Sequence, residues 1–220
     1  MKTLGLVVAL ALLAPLTAHA QEINLSSLDE EPNRVHVTTG AEYGFIASAG
    51  YSRILPFLDR RVVLTGEATL PWASLDLADF GVRAQALVPI VGSARWKLAG
   101  AFSPAVRATE NKVNRMVDAG VDVGLVGGLY TDSWFVALES GVDLLLATHV
   151  THSDSYRMLV HPGAQDGWYG NAGGNLRGGL QAGVAFSRYD VILRAGQVRD
   201  VGGGPPLIPF YGTLTMDARW

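Results

Sequence analysis

The chain closes with Phe210-Tyr211-Gly212-Thr213-Leu214-Thr215-Met216-Asp217-Ala218-Arg219-Trp220, and the reading of this stretch decides the fold. Phe210, Gly212, Leu214, Met216, Ala218 and Trp220 fall on one face of an extended chain, while Tyr211, Thr213, Thr215, Asp217 and Arg219 fall on the other. Side chains alternate with a period of two only in strands, so the pattern predicts a strand with one apolar and one polar face. The alternation runs to the final residue and ends on an aromatic.

Working outward, the same period recurs along the chain. Val35 to Tyr51 keeps its parity throughout, with Val35, Val37, Tyr43, Phe45 and Tyr51 on one face and His36, Thr38, Glu42 and Ser48 on the other. A two-residue hairpin near Gly40 would flip that parity, so one long strand is expected here. Further alternating runs follow from Val62, Phe80, Trp96, Val117, Trp134, Leu176 and Val191. Short turns are expected near 57, 92, 132 and 188, and longer loops near 75, 111, 162 and 203, the longest at about 150–174. Tyr51, Phe57, Trp96, Tyr130, Trp134, Phe186, Tyr189 and Trp220 gather at the short-turn ends, with Trp72, Phe80, Phe102 and Phe210 nearer the others. Tight turns at one rim, longer loops at the other and an aromatic belt at each suit a strand-built membrane span.

The N-terminus gives the address. Lys2, the apolar run Leu4 to Leu16 and the exit Ala18-His19-Ala20 form a secretory signal peptide over residues 1–20, with cleavage before Gln21. Cysteine is absent, which excludes disulfide staples and thiol chemistry. The net charge of −3 comes without a basic cluster, so nucleic acid is not an expected partner.

The fold class that follows is all-β, an antiparallel up-and-down transmembrane β-barrel over residues 35–220. A soluble barrel would turn the apolar face inward around a ligand, but then the charged face would have no dry interior to line. Nine strands are evident, and single-chain bacterial barrels close with even numbers. The expectation is ten, with Glu22 to Leu28 supplying the first strand from a segment (21–34) otherwise read as periplasmic; eight follows if one hairpin is misread. In size, pattern and terminal strand the chain resembles the OmpA/OmpX-like and OmpW-like classes of small outer-membrane barrels. The resemblance implies a porin-like protein in the outer membrane of a Gram-negative bacterium, surrounded by lipid. It also implies a barrel-assembly machinery that reads the end of the chain, here Phe210 and Trp220.

Function is expected in the lumen or the outer loops. The polar faces carry Glu42, Glu67, Asp118, Asp122, Glu139, Asp143 and Asp217, against Arg83, Lys97, Arg177, Arg194 and Arg219. Opposite charges in a narrow barrel pair, which gives a closed, ion-paired lumen; the alternative is a narrow channel in which the acidic excess favours cations. His149, His152, Ser153, Asp154, Ser155 and His161 sit where the longest loop begins. A Ser beside a His suggests a nucleophile in a lipid-acting enzyme, and two His with an Asp suggest a metal site. Neither spacing matches a motif, so a non-enzymatic protein without metal or cofactor is expected. Tyr156, Trp168, Tyr169 and Asn171 make the long loop the candidate for an external ligand. The reading is an envelope scaffold or surface-contact protein.

Overall fold

The structure, a computed structural model, describes residues 23–29, 31–42, 44–72, 78–170, 173–201 and 208–220. The signal peptide expected at 1–20 lies outside them. Eleven strands follow in chain order: β1 (Asn33–Ala41), β2 (Phe45–Phe57), β3 (Arg60–Pro71), β4 (Phe80–Gly92), β5 (Trp96–Glu110), β6 (Asn114–Tyr130), β7 (Trp134–His152), β8 (Gly167–Gly170), β9 (Gly174–Phe186), β10 (Tyr189–Asp200) and β11 (Phe210–Arg219). Every pairing is antiparallel. β7 joins β9 directly and β1 closes on β11, giving a barrel of ten strands, with β8 an extra strand on the outer part of β7.

The tenth strand does not come from Glu22 to Leu28. Leu25–Asp29 is instead a 3-10 helix, and the count is made up by division of the Val35 to Tyr51 run. Ala41 stands opposite Phe45, so the loop between β1 and β2 is three residues long. An odd loop returns the chain with its parity unchanged, so alternation cannot reveal it; the parity argument excluded two-residue loops only. The loop expected at 108–114 is also shorter, because β5 and β6 run on to a three-residue turn at 111–113. Short turns therefore occur at both rims. The 150–174 loop holds a short helix, α1 (Asp154–Leu159), and β8, while β7 itself continues to His152.

Strand tilt follows from register. A row of hydrogen-bonded neighbours starts at Arg219, bonded to Arg188, and passes through Arg34, Ser52 and Thr65 to Gln85. Gln85 is level with Ser103, and the row continues through Asp122, Asp143 and Asn175 to Asp200. One circuit thus climbs β10 from residue 188 to residue 200, twelve residues. About 40 Å of climb over ten spacings of about 4.8 Å gives a tilt of about 40° and a backbone radius of roughly 10 Å.

The outer surface is apolar. Val37, Phe45, Leu64, Val82, Leu125, Leu138, Leu180, Leu193 and Met216 all project outward and exposed, with Phe57, Trp96, Trp134, Phe186, Tyr189 and Trp220 at the short-turn rim. A continuous apolar exterior this large is untenable in water and matches an outer-membrane-type barrel. Tyr130, expected in that aromatic belt, points inward instead and stacks on Phe135 with ring centroids 5.1 Å apart.

Candidate functional site

The lumen is where the polar faces meet, and its lower part is filled by the chain itself. Ile23, Leu25 and Leu28 are buried with Ile54, Val63, Leu87, Val126, Phe135 and Ile192, making an apolar core inside the short-turn end. Polar contacts hold this inner segment in place. Arg34 donates to the Ser27 carbonyl at 2.9 Å and to its hydroxyl at 2.8 Å, Lys97 Nζ donates to the Leu25 carbonyl at 2.8 Å, and Asn24 reaches Asp190 at 3.4 Å. Arg34 also meets Asp217 at 3.1 Å, and Arg219 meets Asp190 at 3.4 Å.

Above this layer the charges form three groups. Glu139 on β7 takes Arg194 of β10 through two contacts, at 2.7 and 3.0 Å, and accepts further hydrogen bonds from Gln181 and Tyr211. The same guanidinium reaches Glu42 in the β1–β2 loop at 3.1 Å and is wholly buried. Asp122 meets Arg177 at 2.7 Å. Glu67 bridges Arg83 and His36, each at 3.0 Å. Asp122 also lies within electrostatic reach of Arg83 and Glu42, one charge from each of the other two groups. Asp118 accepts from Thr148 at 2.6 Å, and Asp143 accepts from Asn175 at 3.1 Å.

Local backbone features make these contacts possible. The β6–β7 register shifts between Ala119 and Gly120, leaving Leu146 as an extra residue in β7. Beyond this bulge the inward parity of β7 changes from odd to even, which turns Thr148 toward Asp118. Gly141 and Gly124 stand opposite each other, and a Cβ on Gly141 would lie 2.8 Å from Arg177 Nη2. That glycine pair leaves the room in which the guanidinium lies flat over β6 and β7. Gly179 and Gly196 make the same room for the Tyr211 phenol.

Sequence reasoning missed Arg34, His36, Arg107 and Asp190 as interior charges. Parity held the signal for two of them: Arg34 continues the His36 face of β1, and Asp190 the Arg194 face of β10. Lys97, expected opposite the acids, serves the inner segment's main chain instead.

At the other rim β6 and β7 are 17 and 19 residues long. Tilted, they span roughly 45 Å along the axis, against about 30 Å of hydrocarbon. Their ends, with β5 and β8, form a blade beyond the barrel. Ser153 caps α1 by accepting from the Tyr156 amide, and its hydroxyl donates to the Lys112 carbonyl at 2.9 Å. His152 stacks on Tyr156 and meets Asp166 at 3.1 Å, while His149 packs edge-on against Trp168 at 5.1 Å. The Arg157 side chain, with the His152 amide, holds the Asp166 carboxyl below the usual carboxylate range. The His/Ser cluster is thus spread over capping, stacking and a clamp. No group of three or more metal-ligating side chains converges among the described residues. Met158, Leu159 and Trp168 stand exposed on the blade.

No protein-family model matches the chain, and no curated protein does. Among solved structures it is similar to the β domain of the Bordetella autotransporter Brka, with 12% sequence identity and a TM-score of 0.42, over 87% of this chain and 99% of that one.

Proposed function

We propose that this chain is a non-enzymatic outer-membrane protein of a Gram-negative cell, with a barrel closed at rest and a blade that makes contacts outside the cell. Residues 1–20 direct export, and the assembly machinery reads Phe210 and Trp220. Glu42, Glu67, Arg83, Lys97, Asp118, Asp122, Glu139, Asp143, Arg177 and Arg194 close the lumen.

The observation that carries this reading is the pair of unlike ends. The short-turn end is filled by residues 23–28, and the opposite end is prolonged into a blade displaying Met158, Leu159 and Trp168 at 74%, 83% and 64% exposure. Exposed apolar side chains beyond the lipid belt mark a contact surface. Ser155→Cys tests the orientation: in intact cells a membrane-impermeant maleimide labels it, and density fractionation finds it in the outer membrane. Labelling only after lysis would put the blade in the periplasm and overturn the reading.

A further inference from the structure

The barrel wall is not hydrogen-bonded to the same depth all round. At the short-turn rim β2 pairs with β3 down to Phe57 and Arg60, and β4 with β5 down to Gly92 and Lys97. Between these two hairpins the ladder stops short, at Val63 and Leu87. Continued, it would set Arg61 opposite Pro89 and Arg60 opposite Ile90. Pro89 has no N–H to give, and the register of β4 against β5 shifts between Pro89 and Val91, so Ile90 is the extra residue of a bulge. A side chain stands in for the missing main-chain donors: Arg60 Nη1 donates to both the Pro89 and the Ile90 carbonyls. The Arg60 guanidinium thus bridges a seam between the two hairpin tips.

Beside the seam lies a cavity of about 290 Å³, with Leu25 and Leu28 of the inner segment on its apolar side. Its charged lining is Arg60, Arg61 and Lys97 with Asp29 and Asp59, three cations against two acids. Arg61 takes Asp29 at 3.3 Å. Arg60 and Lys97 are held by main-chain carbonyls, Lys97 by that of Leu25 at 2.8 Å, and neither has a carboxylate within ion-pairing distance among the described residues. A carbonyl orients a cation without neutralising it, so both heads keep their charge and further N–H donors. Arg60 stands opposite Phe57 and shares its outward face, whereas Arg61 and Lys97 belong to the inward one. Cations therefore flank the seam from both sides of the wall. Phe57 and Trp96, 62% and 66% exposed on the outer surface, put this height at the membrane–water interface, where lipid phosphates lie.

We propose that the seam binds the phosphate of a phospholipid from the leaflet at the short-turn rim. Arg60 meets it from the lipid side, and Lys97 and Arg61 meet it from the lumen side, while the acyl chains stay outside against Phe57, Val91 and Trp96. The single negative charge of a phosphodiester matches the excess of one cation, and basic pockets in membrane proteins recognise lipid headgroups by this chemistry. The site lies at the opposite end from the blade and goes beyond the scaffold reading.

The test titrates the full chain, in octyl glucoside, with phosphatidylglycerol and with diacylglycerol of the same acyl chains, and counts bound lipid by native mass spectrometry. Wild-type protein takes one phosphatidylglycerol and no diacylglycerol, and excess inorganic phosphate does not displace the lipid. Arg60→Met and Lys97→Met, which keep an unbranched side chain but lose the charge, each weaken binding about tenfold, the loss of one charge-assisted hydrogen bond. Arg53→Met removes an exposed outward cation of the same strand end that does not line the cavity, and leaves binding unchanged. Three results overturn the proposal: diacylglycerol held as tightly as phosphatidylglycerol, so that tails alone make the contact; displacement by inorganic phosphate, which marks a site for a soluble anion; or wild-type binding in both Arg60→Met and Lys97→Met, shown folded by heat-modifiable migration. None of these moves the labelling of Ser155→Cys, so the two proposals fail separately.

Discussion

Arg194 tests whether the lumen charges are truly desolvated. Its guanidinium is wholly buried, takes Glu139 through two contacts and reaches Glu42 at 3.1 Å. Arg194→Met keeps most of the side-chain volume and leaves two buried carboxylates without their cation. Breaking one partner of a buried pair costs about 3–5 kcal/mol, because the remaining charge stays dehydrated. With a urea slope of about 2 kcal/mol per molar, the unfolding midpoint falls by about 2 M. Glu139→Gln on the same background removes one stranded charge and regains much of the loss, since replacing a whole pair is often neutral. The assay is urea unfolding in lipid vesicles, read by tryptophan fluorescence and gel migration. If Arg194→Met moves the midpoint by less than about 0.5 kcal/mol in equivalent stability, the cluster is hydrated and the cost derived from burial is wrong.

Three further outcomes follow from other parts of the molecule. Deleting Trp220 removes its two main-chain bonds to Asn33, at 3.1 and 3.3 Å, and its packing on Tyr51; the variant refolds in detergent but its outer-membrane level drops sharply, and an unchanged immunoblot would refute the assembly role of this residue. Gly141→Ala pushes a methyl into the Arg177 guanidinium and lowers stability by about 1–3 kcal/mol, whereas Gly66→Ala, whose Cβ meets nothing within 4 Å, is neutral; equal effects in vesicle unfolding would sink the packing argument. Asp166 has a depressed pKa in the folded blade, so its clamp on Arg157 is fully present above the ordinary carboxylate pKa and is lost only as pH falls through the lower folded value. Hydrogen exchange at Tyr156 and Arg157 is therefore unchanged, after correction for intrinsic rates, from pH 7 to about 4.5, and loss of protection already at pH 5 would contradict the clamp.

The fold was legible because a lipid-facing barrel writes its two environments into alternate positions. Leu214 and Met216 stand exposed on the outer surface while Thr213 and Thr215 are buried toward the lumen, and nothing else in the strand interrupts the period. What stayed hidden has specific physical causes. The turn at 42–44 preserves parity, so hydropathy alternates across it as if the strand continued. The Ile23 to Leu28 segment starts with apolar residues at alternate places, Ile23 and Leu25, which imitates a strand; yet Asn24 accepts from the Ser26 amide at 3.0 Å and from its hydroxyl at 2.7 Å, a local turn that Asn-Leu-Ser already favours. Tyr130 sits beside a turn like its aromatic neighbours, and only its place in the parity of β6, where Val123 and Leu125 mark the outward positions, separates it from the belt. The pairing of lumen charges was not readable, because partners such as Arg194 and Glu42 lie 152 residues apart and meet only through the tilt of closed strands.

That tilt also explains why this barrel needs both its glycines and its inner segment. Barrels of about eight strands are filled by their own side chains. Ten strands at about 40° give a radius of roughly 10 Å, too wide for Leu or Val from opposite walls to meet. Two solutions are in use at different heights. In the outer half long side chains reach inward over the intervening strands, Arg194 to Glu42 and Glu139, Arg177 to Asp122, and Arg177 lies low because Gly141 leaves the wall bare, as Gly196 does for Tyr211. In the inner half the wall carries Val63, Leu87 and Ile192, which are too short to meet, and the space is taken by Ile23, Leu25 and Leu28 from the chain's own N-terminal side. A covalently continuous filler in an apolar seat can leave without breaking a strand pair, whereas the crossing arginines cannot move without exposing buried acids. The two halves therefore differ in what they resist. Expelling the inner segment costs its apolar burial, about 25 cal/mol for each Å² exposed, and the hydrogen bonds it takes from Arg34 and Lys97, and leaves the strand pairing of the barrel wall intact. Losing Arg194 strains the wall's own charges and lowers the stability of the whole barrel. Leu25→Asp/Leu28→Asp should accordingly leave the urea midpoint of the strands close to wild type while Arg194→Met lowers it, and the reverse order would show that the segment, rather than the ion pairs, holds the barrel closed.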